Sequence, residues 1–271
     1  MYKLAVFDLD GTLLTSEHQV SSATYGALKD LKRNDIEVVI SSGRPLPGVK
    51  KIQEQVGKDL VRYLSSFNGG KIVDSCQNGR VLFQAALSDE EVREITEWML
   101  EKDVDINTYD DQNVLALHQP KYPYMQYEAD LVSLPIRVFD FRGRVLANKV
   151  MITGEPDYLD QLRCELPADW ENRFNIVKSA PYFLEFNPLE ANKGDSLRNL
   201  AEVLAIKQEE IMAFGDQEND LPMIEWAGMG VAMGNAVLSV KEAANYVTAT
   251  NDEEGICQAV DHLVLGKMRG K

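Results

Sequence analysis

Two aspartates stand two residues apart near the start of the chain, directly after a short apolar run. The run is Leu4–Phe7, the aspartates are Asp8 and Asp10, and Gly11 follows them. Neighbouring carboxylates repel each other, and burying both is costly unless a positive charge lies close by. Because the residues beside this pair supply no cation, we expect a metal ion or a basic side chain from elsewhere in the chain to approach it.

Polar residues also follow two later apolar stretches. Ser42 comes after the stretch EVVIS, and Asp216 comes after IMAFG. In a doubly wound sheet the carboxyl ends of the strands form one crevice where ligands bind, so we expect these residues to converge with Asp8. Carboxylates supply the oxygen ligands that Mg²⁺ prefers. The sequence therefore predicts a magnesium site with three acidic residues, Asp8, Asp10 and Asp216.

One lysine stands at a position where the electrostatics of a helix do not favour a positive charge. Lys193 comes directly before a predicted helix over about residues 194–204, and positive charge is unfavourable at a helix N-terminus. An exposed lysine at a helix start is the alternative interpretation, but a functional role explains the position better. We therefore expect Lys193 to be the organic cation of the carboxylate site.

A second aspartate lies in the segment that follows Asp216, next to Asn219. This residue, Asp220, precedes Leu221 and Pro222, so it is well placed to be the N-cap of a helix with proline in its first turn. It is equally well placed to contribute to the metal shell. The sequence leaves these two interpretations of Asp220 open.

Other sites with defined spacing do not fit the chain. A calcium-binding loop that began at Asp8 would need glycine at its sixth position and glutamate at its twelfth, where this chain has Leu13 and Gln19. A glycosidase acid pair is not excluded by spacing, but it would not explain the lysine and the serine described above. The glycines of residues 228–234 imitate a dinucleotide-binding pattern, but they follow a predicted helix rather than a strand.

Strand-like and helix-like segments alternate up to about residue 80 and again from Asn192 onward. Between these regions, from a capping box at Ser88–Glu91, strands and helices mix in an α+β manner. We therefore predict an α/β domain with a doubly wound, mostly parallel sheet, formed by residues 1–82 and 188–271, into which residues 83–187 are inserted as an α+β domain. A length of 271 residues agrees with two domains.

The composition narrows the possible partners. The net charge is −15, from 43 acidic and 28 basic residues, which argues against nucleic acid or an anionic membrane surface as the main partner. The three cysteines form no CxxC pair, so neither a disulfide framework nor a zinc site is indicated. No apolar run approaches the length of a membrane span. We predict a cytoplasmic monomer or homodimer that acts on a small ligand.

Four segments together resemble the motifs of the haloacid dehalogenase (HAD) superfamily. They stand in the order Asp8–Thr12, Ser42–Pro45, Asn192–Gly194 and Gly215–Asp220. Serine replaces the threonine that is usual at the second motif, and either hydroxyl can donate to a phosphate. Over essentially the whole chain, length and motif order are similar to the Cof-type sugar-phosphate phosphatases, and the insert resembles their cap. The resemblance implies a Mg²⁺-dependent phosphomonoesterase for small phosphorylated metabolites such as sugar phosphates.

The resemblance also implies roles for individual residues. Asp8 would attack phosphorus and form an aspartyl-phosphate. Asp10 would protonate the leaving alcohol and then deprotonate the water that hydrolyses the intermediate. Mg²⁺ would be held by Asp8, the backbone carbonyl of Asp10, and Asp216. The remaining implied residues are Leu9, Ser42, Gly43, Lys193 and Asn219 for phosphate binding, with Asp220 and Arg44 in supporting positions.

The same motifs leave two other functions open. An aspartyl-phosphate on Asp8 can pass to a sugar hydroxyl as well as to water, which would make the chain a phosphotransferase or a sugar-phosphate mutase. A non-enzymatic phospho-acceptor or binding protein is the third interpretation. It fits less well, because an acid–base residue at Asp10 would shorten the lifetime of a phospho-aspartate.

Overall fold

The computed structural model describes residues 1–141 and 145–266, and the chain divides into two compact units. The first unit contains residues 1–43 and 49–83 and the chain from Asn192 onward, and the second contains residues 44–48 and 84–191. The longer segment of the second unit is therefore inserted into the first. No helix within the described residues is both long enough and apolar enough to cross a membrane.

Strands account for much of both units. In chain order, those within the described residues are β1 (Leu4–Asp8), β2 (Glu37–Ser41), β3 (Tyr63–Ser66), β4 (Lys71–Asp74), β5 (Arg80–Gln84), β6 (Asp105–Tyr109), β7 (Val114–Ala116), β8 (Ile136–Val138), β9 (Val150–Thr153), β10 (Phe174–Ala180), β11 (Phe183–Pro188), β12 (Ile211–Gly215), β13 (Met229–Ala232) and β14 (Tyr246–Val247).

The α-helices alternate with these strands in the first unit. In chain order, those within the described residues are α1 (Ser22–Arg33), α2 (Leu46–Val56), α3 (Asp89–Met99), α4 (Pro123–Val132), α5 (Pro156–Glu165), α6 (Lys193–Leu204), α7 (Leu221–Trp226), α8 (Leu238–Ala243) and α9 (Gly255–Leu263). Their starts follow local capping chemistry, since Ser21 and Ser88 each accept a hydrogen bond from the first turn of α1 and α3.

The sheet of the first unit has β1 near its centre, between β12 and β2, and parallel to both. The strand order is β14-β13-β12-β1-β2-β3-β4-β5, with β4 antiparallel to β3. Each residue of β1 is buried, as expected for a strand of a parallel sheet. Asp8 is paired in register with Ser41, and Phe7 with Phe214, so the polar residues after these strands emerge at one edge. The predicted mostly parallel α/β sheet is confirmed.

One face of this sheet is covered by α6 and α7. Leu197, Leu200 and Met223 from these helices belong to the same buried cluster as Leu4 and Val6 of β1. Each buried leucine or valine contributes about 1.5–3 kcal/mol of hydrophobic free energy. This packing fixes the start of α6, and with it Lys193, near the end of β1.

The second unit is built on a sheet with the order β10-β11-β9-β6-β7-β8. Its strands are antiparallel to their neighbours, apart from β7 and β8, which are parallel. Helices α3 and α5 contribute Ile95 and Leu159 to an apolar core with Ile106, Ile152 and Leu184 from the sheet. This arrangement is the α+β type predicted for the insert.

The insert is also where local sequence patterns were least informative. The apolar residues of the stretch 145–152 predict a strand over its whole length, but β9 begins only at Val150, and Ala147 forms a single bridge with Leu87. Helix α4 lies in a tyrosine- and proline-rich stretch and was not predicted. It begins with Pro123 in its first turn, and its weakly segregated apolar residues give little helical periodicity.

Candidate active site

Lys193 lies at the centre of a buried group of carboxylates in the first unit. Its Nζ is 2.5 Å from Asp8 Oδ1 and 2.5 Å from Asp220 Oδ1, and its side chain is fully buried. Burial by itself lowers the pKa of Lys193, but the charges of Asp220 and Asp8 outweigh this effect and raise the pKa. Lys193 therefore remains protonated, and the structure places the expected cation beside Asp8.

The position of Lys193 follows from the start of α6. Asn192 is the N-cap of this helix, and its side chain accepts a hydrogen bond from the backbone N–H of Asp195. Lys193 is consequently the first helical residue, and its side chain extends into the cluster of carboxylates instead of into solvent. The electrostatic cost of a cation at this helix end is offset by the two carboxylates it contacts.

Three carboxylates surround one point in this group. Asp8, Asp216 and Asp220 are buried, and each offers an oxygen within 4.8 Å of the others. Lys193 balances one of their three negative charges. Hard oxygen donors with excess negative charge suit a divalent cation such as Mg²⁺, so the residues present fit a metal site. Asp8 and Asp216 belong to the predicted set, and Asp220 stands where Asp10 was expected.

The pKa values of two of these carboxyls are perturbed. Burial, followed by the charge of Asp220, holds the pKa of Asp8 well above its usual range, and Lys193 opposes this only in part. Burial and Asp220 also raise the pKa of Asp216 to about 6. Both shifts apply to the site without a metal ion. They show that the ionised carboxylates are costly to keep buried, and a bound cation would reduce this cost.

Asp216 is held from several sides. Its Oδ1 accepts a hydrogen bond from Thr12 Oγ1 at 3.1 Å, and its Oδ2 accepts one from Gln217 Nε2 at 3.2 Å. Asn235 Nδ2 donates to the carbonyl of Gly11 at 2.9 Å and to Asp216 Oδ2 at 3.4 Å. Gly11 has a φ of +81°, and a Cβ there would lie 2.5 Å from Asp216 Oδ2. Only glycine therefore fits at this turn. The hydrogen bonds of Asn235 to Gly11 and Asp216 were not predicted from the sequence.

Asp10 does not lie where the sequence-based argument placed it. Strand β1 ends at Asp8, and Leu9–Leu13 form a tight turn, so Asp8 and Asp10 do not share a strand face. The Asp10 carboxylate is about half exposed, and its Oδ1 is 3.7 Å from His18 Nδ1. The acidic group that completes the carboxylate cluster is Asp220. The metal contact assigned to the backbone carbonyl of Asp10 remains a prediction.

The structure distinguishes the two interpretations of Asp220. Its Oδ2 accepts hydrogen bonds from the backbone N–H groups of Asp216 and Gln217 at 2.9 and 3.0 Å, and its Oδ1 accepts one from Lys193. Its side chain makes no capping hydrogen bond to α7. Asp220 is thus the N-cap residue of α7, with proline in the first turn as predicted. Its carboxylate does not cap that helix, however, and instead holds both the Asp216 loop and the lysine.

Asn68 connects the residues expected to bind phosphate. Its backbone N–H donates to the carbonyl of Ser42 at 3.0 Å, and its Oδ1 accepts a hydrogen bond from Asn219 Nδ2 at 3.1 Å. A Cβ on Gly43 would lie 3.1 Å from the same Oδ1. From sequence alone, Asn68 and the two glycines that follow it are expected only to form a turn. The available signal was its place two residues after the buried strand β3, where it adopts a left-handed φ of 54°.

Two other predicted residues have different surroundings. Leu9 is fully buried, and its carbonyl accepts a hydrogen bond from the backbone N–H of Leu14 at 2.9 Å. Arg44 groups with the second unit. There, burial raises the pKa of Glu128, and the charges of Lys149 and Arg44 partly oppose this rise.

The pKa of Asp216 predicts how the metal-free protein responds to pH. This pKa is about 6 in the folded protein, against an ordinary value of 3.8. Between these two values the folded state holds a proton that the unfolded chain has released, so the free energy of unfolding falls as pH rises through this window. Asp216→Asn should remove this contribution. In urea denaturation with EDTA, the variant should gain stability relative to the wild type between about pH 4 and about pH 7. A constant difference between the two proteins would contradict the assignment.

The α/β fold and the carboxylate cluster indicate the class of protein to which the chain belongs, and comparison with known proteins gives the same class. Residues 5–260 match the family model of the haloacid dehalogenase-like hydrolases. The chain therefore belongs to this family, as the four motifs indicated.

Relatives with known names cover almost the whole chain. Phosphatase YwpJ of Bacillus subtilis is 34% identical, over 97% of this chain and 100% of its own length. The 5-amino-6-(5-phospho-D-ribitylamino)uracil phosphatase YcsE of the same organism is 32% identical, over 97% and 96%. A crystal structure of a haloacid dehalogenase-like hydrolase from Bacteroides thetaiotaomicron has a TM-score of 0.89 and 36% identity, over 97% of this chain and 100% of that chain. The chain is thus an enzyme, a phosphatase of the HAD type.

Proposed function

We propose that this enzyme is a Mg²⁺-dependent phosphomonoesterase that hydrolyses small phosphorylated metabolites, sugar phosphates among them, through an aspartyl-phosphate on Asp8. The observation that carries the proposal is the buried group of Asp8, Asp216 and Asp220 around Lys193 at the strand ends of the parallel sheet. A carboxylate nucleophile, oxygen ligands for a cation and a fixed ammonium are the groups that phosphoryl transfer requires.

The reaction has two steps on this chain. The Asp8 carboxylate attacks phosphorus, the bond from phosphorus to the substrate alcohol breaks, and Asp10 gives its proton to the leaving oxygen. Water then attacks the aspartyl-phosphate, Asp10 takes a proton from that water, and inorganic phosphate leaves with Asp8 restored. The partial exposure of the Asp10 carboxylate suits a group that must reach both alcohol and water.

The charge that develops on the phosphoryl oxygens must be stabilised by positive groups and hydrogen-bond donors. Lys193, the Ser42 hydroxyl, the Asn219 amide and the backbone N–H groups of Leu9 and Gly43 supply these in our proposal. The side chains of Asp8 and Asp216 and the backbone carbonyl of Asp10 would hold Mg²⁺. The bound ion would screen the repulsion between the substrate phosphate and the nucleophile. In a supporting role, Asp220 fixes Lys193, and Arg44 is proposed as a further supporting residue.

The two units have different roles in this proposal. We propose the first unit as the catalytic domain and the second as the domain that selects the substrate. YcsE, one of the relatives, is named for a substrate with a phosphorylated ribityl group, which supports a hydroxyl-rich phosphate ester as the substrate here. A cytoplasmic location and a monomeric or dimeric state remain predictions from sequence.

The purified chain tests the proposal directly. It should release inorganic phosphate from an aryl phosphate when Mg²⁺ is present, lose this activity in EDTA, and regain it when Mg²⁺ is added back. Transfer of phosphate between sugar hydroxyls without phosphate release would favour the phosphotransferase or mutase alternative. A stable phosphoprotein without turnover would favour the phospho-acceptor alternative and contradict the proposal.

The contacts of Asn68 predict a large effect of one charge at the proposed phosphate site. Asn68→Asp keeps an acceptor for Asn219 Nδ2 and keeps a residue type that tolerates the left-handed conformation. It also places a negative charge beside Gly43. Because juxtaposed like charges cost several kcal/mol, we expect inorganic phosphate to inhibit the variant at least about tenfold more weakly than the wild type.

A matched control exists in the same unit. Asn78 has the same φ of 54° but lies in the turn before β5, far along the chain from the motif residues. Asn78→Asp should bind inorganic phosphate as the wild type does. Equal inhibition constants for Asn68→Asp and Asn78→Asp would show that Asn68 is only a turn residue.

A further inference from the structure

The turn that follows β1 has an irregular backbone. Asp10 has extended angles, with a φ of −83° and a ψ of 120°, and Gly11 is left-handed with a φ of +81°. A hydrogen bond from the backbone N–H of Leu14 to the carbonyl of Leu9 closes the turn. Because such a turn lacks the repeating hydrogen bonds of a regular helix or strand, groups outside it must hold it in one conformation.

Two asparagines that follow β13 and β14 contact this turn. Asn235 Nδ2 donates a hydrogen bond to the carbonyl of Gly11 at 2.9 Å, and Asn251 Nδ2 donates one to the carbonyl of Leu14 at 2.8 Å. The asparagines lie 224 and 237 positions from these partners along the chain. The turn is therefore held at its centre and at its end by residues from a distant part of the sequence.

The side-chain amide of Asn235 uses both of its polar atoms. Its Oδ1 accepts a hydrogen bond from the backbone N–H of Asn251 at 3.1 Å, and its Nδ2 also donates to Asp216 Oδ2 at 3.4 Å. Turning the amide over would place its oxygen against the Gly11 carbonyl and the Asp216 carboxylate, and its N–H groups against another N–H. The contacts thus permit one orientation, in which one side chain connects the Asp10 turn, Asp216 and Asn251.

The loop that carries Asn235 is tied to Asp216 through the backbone as well. On one side of Asn235, the N–H of Met233 donates to the carbonyl of Gly215 at 3.0 Å, and on the other side the N–H of Val237 donates to the carbonyl of Asp216 at 2.9 Å. The main chain therefore sets the position of Asn235 relative to Asp216. The side chain of Asn235 then sets the position of the turn.

The loop of Asn251 is also fixed. Within this loop, Thr250 Oγ1 donates a hydrogen bond to Glu253 Oε2 at 3.0 Å. The same loop contacts the chain just beyond the turn, where the backbone N–H of Ser16 donates to Asp252 Oδ1 at 2.8 Å. Asn251 consequently meets the turn from a loop that has anchors of its own.

Stability alone explains this arrangement poorly. Asn235 is exposed and Asn251 is only partly buried, and a single hydrogen bond contributes a net of about 0.5–1.5 kcal/mol. Geometry is the stronger reason, because Mg²⁺ requires its oxygen ligands in a nearly ideal octahedral arrangement. Groups that orient metal ligands typically change metal affinity by about 10- to 100-fold when they are removed.

We infer that Asn235 and Asn251 are positioning residues, which hold the turn of Asp10 in the place relative to Asp216 that metal binding and proton transfer require. Asn235 fixes the centre of the turn against Asp216, and Asn251 fixes the end of the turn and the orientation of the Asn235 amide. The inference rests on the proposed phosphatase function and adds to it two residues outside the four motifs.

Asn235→Ala tests the inference with Mg²⁺ alone as the probe. The measured quantity is the dissociation constant of Mg²⁺, determined by titration calorimetry on metal-free protein without substrate. It should rise by about tenfold or more, because the Asp10 turn is no longer held against Asp216. Asn251→Ala should change it in the same direction by a smaller factor, since the backbone N–H that orients Asn235 remains.

Activity provides a second measurement on the same variant. With Mg²⁺ at saturation, kcat of Asn235→Ala for an aryl phosphate should be at least about tenfold lower than that of the wild type, because the acid–base group is displaced. The inhibition constant of inorganic phosphate should not change, because the proposed phosphate contacts of Lys193, Ser42 and Asn219 remain. A residue that bound the substrate would change both quantities.

Asn245→Ala is the matched control. Asn245 is also exposed, and its Oδ1 accepts a hydrogen bond from the backbone N–H of Gly230 at 2.7 Å. Gly230 lies near the start of β13, at the opposite end from Asn235. This variant loses a side-chain hydrogen bond to the backbone, so its Tm in EDTA should fall about as much as that of Asn235→Ala. Its Mg²⁺ dissociation constant and kcat should equal those of the wild type.

The outcomes separate positioning from a purely structural role. Equal Mg²⁺ dissociation constants and equal kcat values for Asn235→Ala and Asn245→Ala would overturn the inference. If Asn235→Ala does not fold, Asn251→Ala decides, and wild-type values for it in both assays would count against the inference. If the wild type hydrolyses no phosphate ester, the proposed function fails, but the Mg²⁺ titration still tests the two asparagines. A wild type that binds no Mg²⁺ in that titration would overturn the inference.

Discussion

Replacing Asp8 with asparagine is expected to lower kcat for an aryl phosphate by about 10⁴- to 10⁶-fold, as for other enzymes that lose their nucleophile. The amide has no negative charge and cannot form the aspartyl-phosphate. The side chain keeps its size, and its oxygen can still accept the hydrogen bond from Lys193 that Asp8 accepts now. The loss should therefore be chemical rather than structural.

Thermal unfolding distinguishes these two causes. The pKa of Asp8 is raised well above its usual range, by burial first and then by the charge of Asp220. At neutral pH its ionised form therefore opposes folding. In EDTA near neutral pH, the Tm of Asp8→Asn should match or exceed that of the wild type.

The intermediate gives an independent measurement for Asp8. After acid quenching during turnover, intact-protein mass spectrometry should detect one added phosphoryl group on the wild type and none on Asp8→Asn. Asp30→Asn, which removes an ion pair with Arg33 on α1, should behave as the wild type in both assays. Full activity of Asp8→Asn would contradict the nucleophile assignment.

Replacing Lys193 with methionine is expected to affect both stability and activity. The ammonium is buried between Asp8 and Asp220, 2.5 Å from each. Removing one partner of a buried ion pair typically costs about 3–5 kcal/mol, because the remaining charge is left uncompensated. We expect a loss of this size in the free energy of unfolding, measured near neutral pH in EDTA.

The sign of the pH dependence provides a second check on Lys193→Met. Without the lysine, the pKa values of Asp8 and Asp216 rise further, since Lys193 is among the groups that lower them. The folded variant then holds protons that its unfolded chain releases, so its deficit in stability should shrink as pH falls below about 6. Added Mg²⁺ should restore part of the Tm but not the activity, because the proposed phosphate contact is gone.

Lys207→Met is the control for this change. Lys207 is exposed and lies beyond α6, so its removal should leave activity and its metal dependence as in the wild type. A Tm and activity of Lys193→Met equal to those of Lys207→Met would show that the buried ion pair contributes neither stability nor catalysis.

The strand ends of the first unit were predictable because their pattern is local. Asp8, Ser42 and Asp216 each follow an apolar run, and parallel strands bring their carboxyl ends to one edge of a sheet. The capping box at Ser88 was equally clear and is present. The insert was harder, because α4 begins in a stretch whose tyrosines and prolines do not show a helical period.

By itself, the sequence determined the family, the α/β core and the convergence of Asp8, Lys193 and Asp216, since these depend on residue type, order and strand direction. Only the tertiary structure decided that Asp220 rather than Asp10 completes the carboxylate cluster, and that Asn68 connects Ser42 with Asn219. The physical reason is that side-chain direction after a turn depends on backbone angles such as the positive φ of Gly11, and a contact such as that between Asn68 and Asn219 depends on neighbours that are distant in the chain.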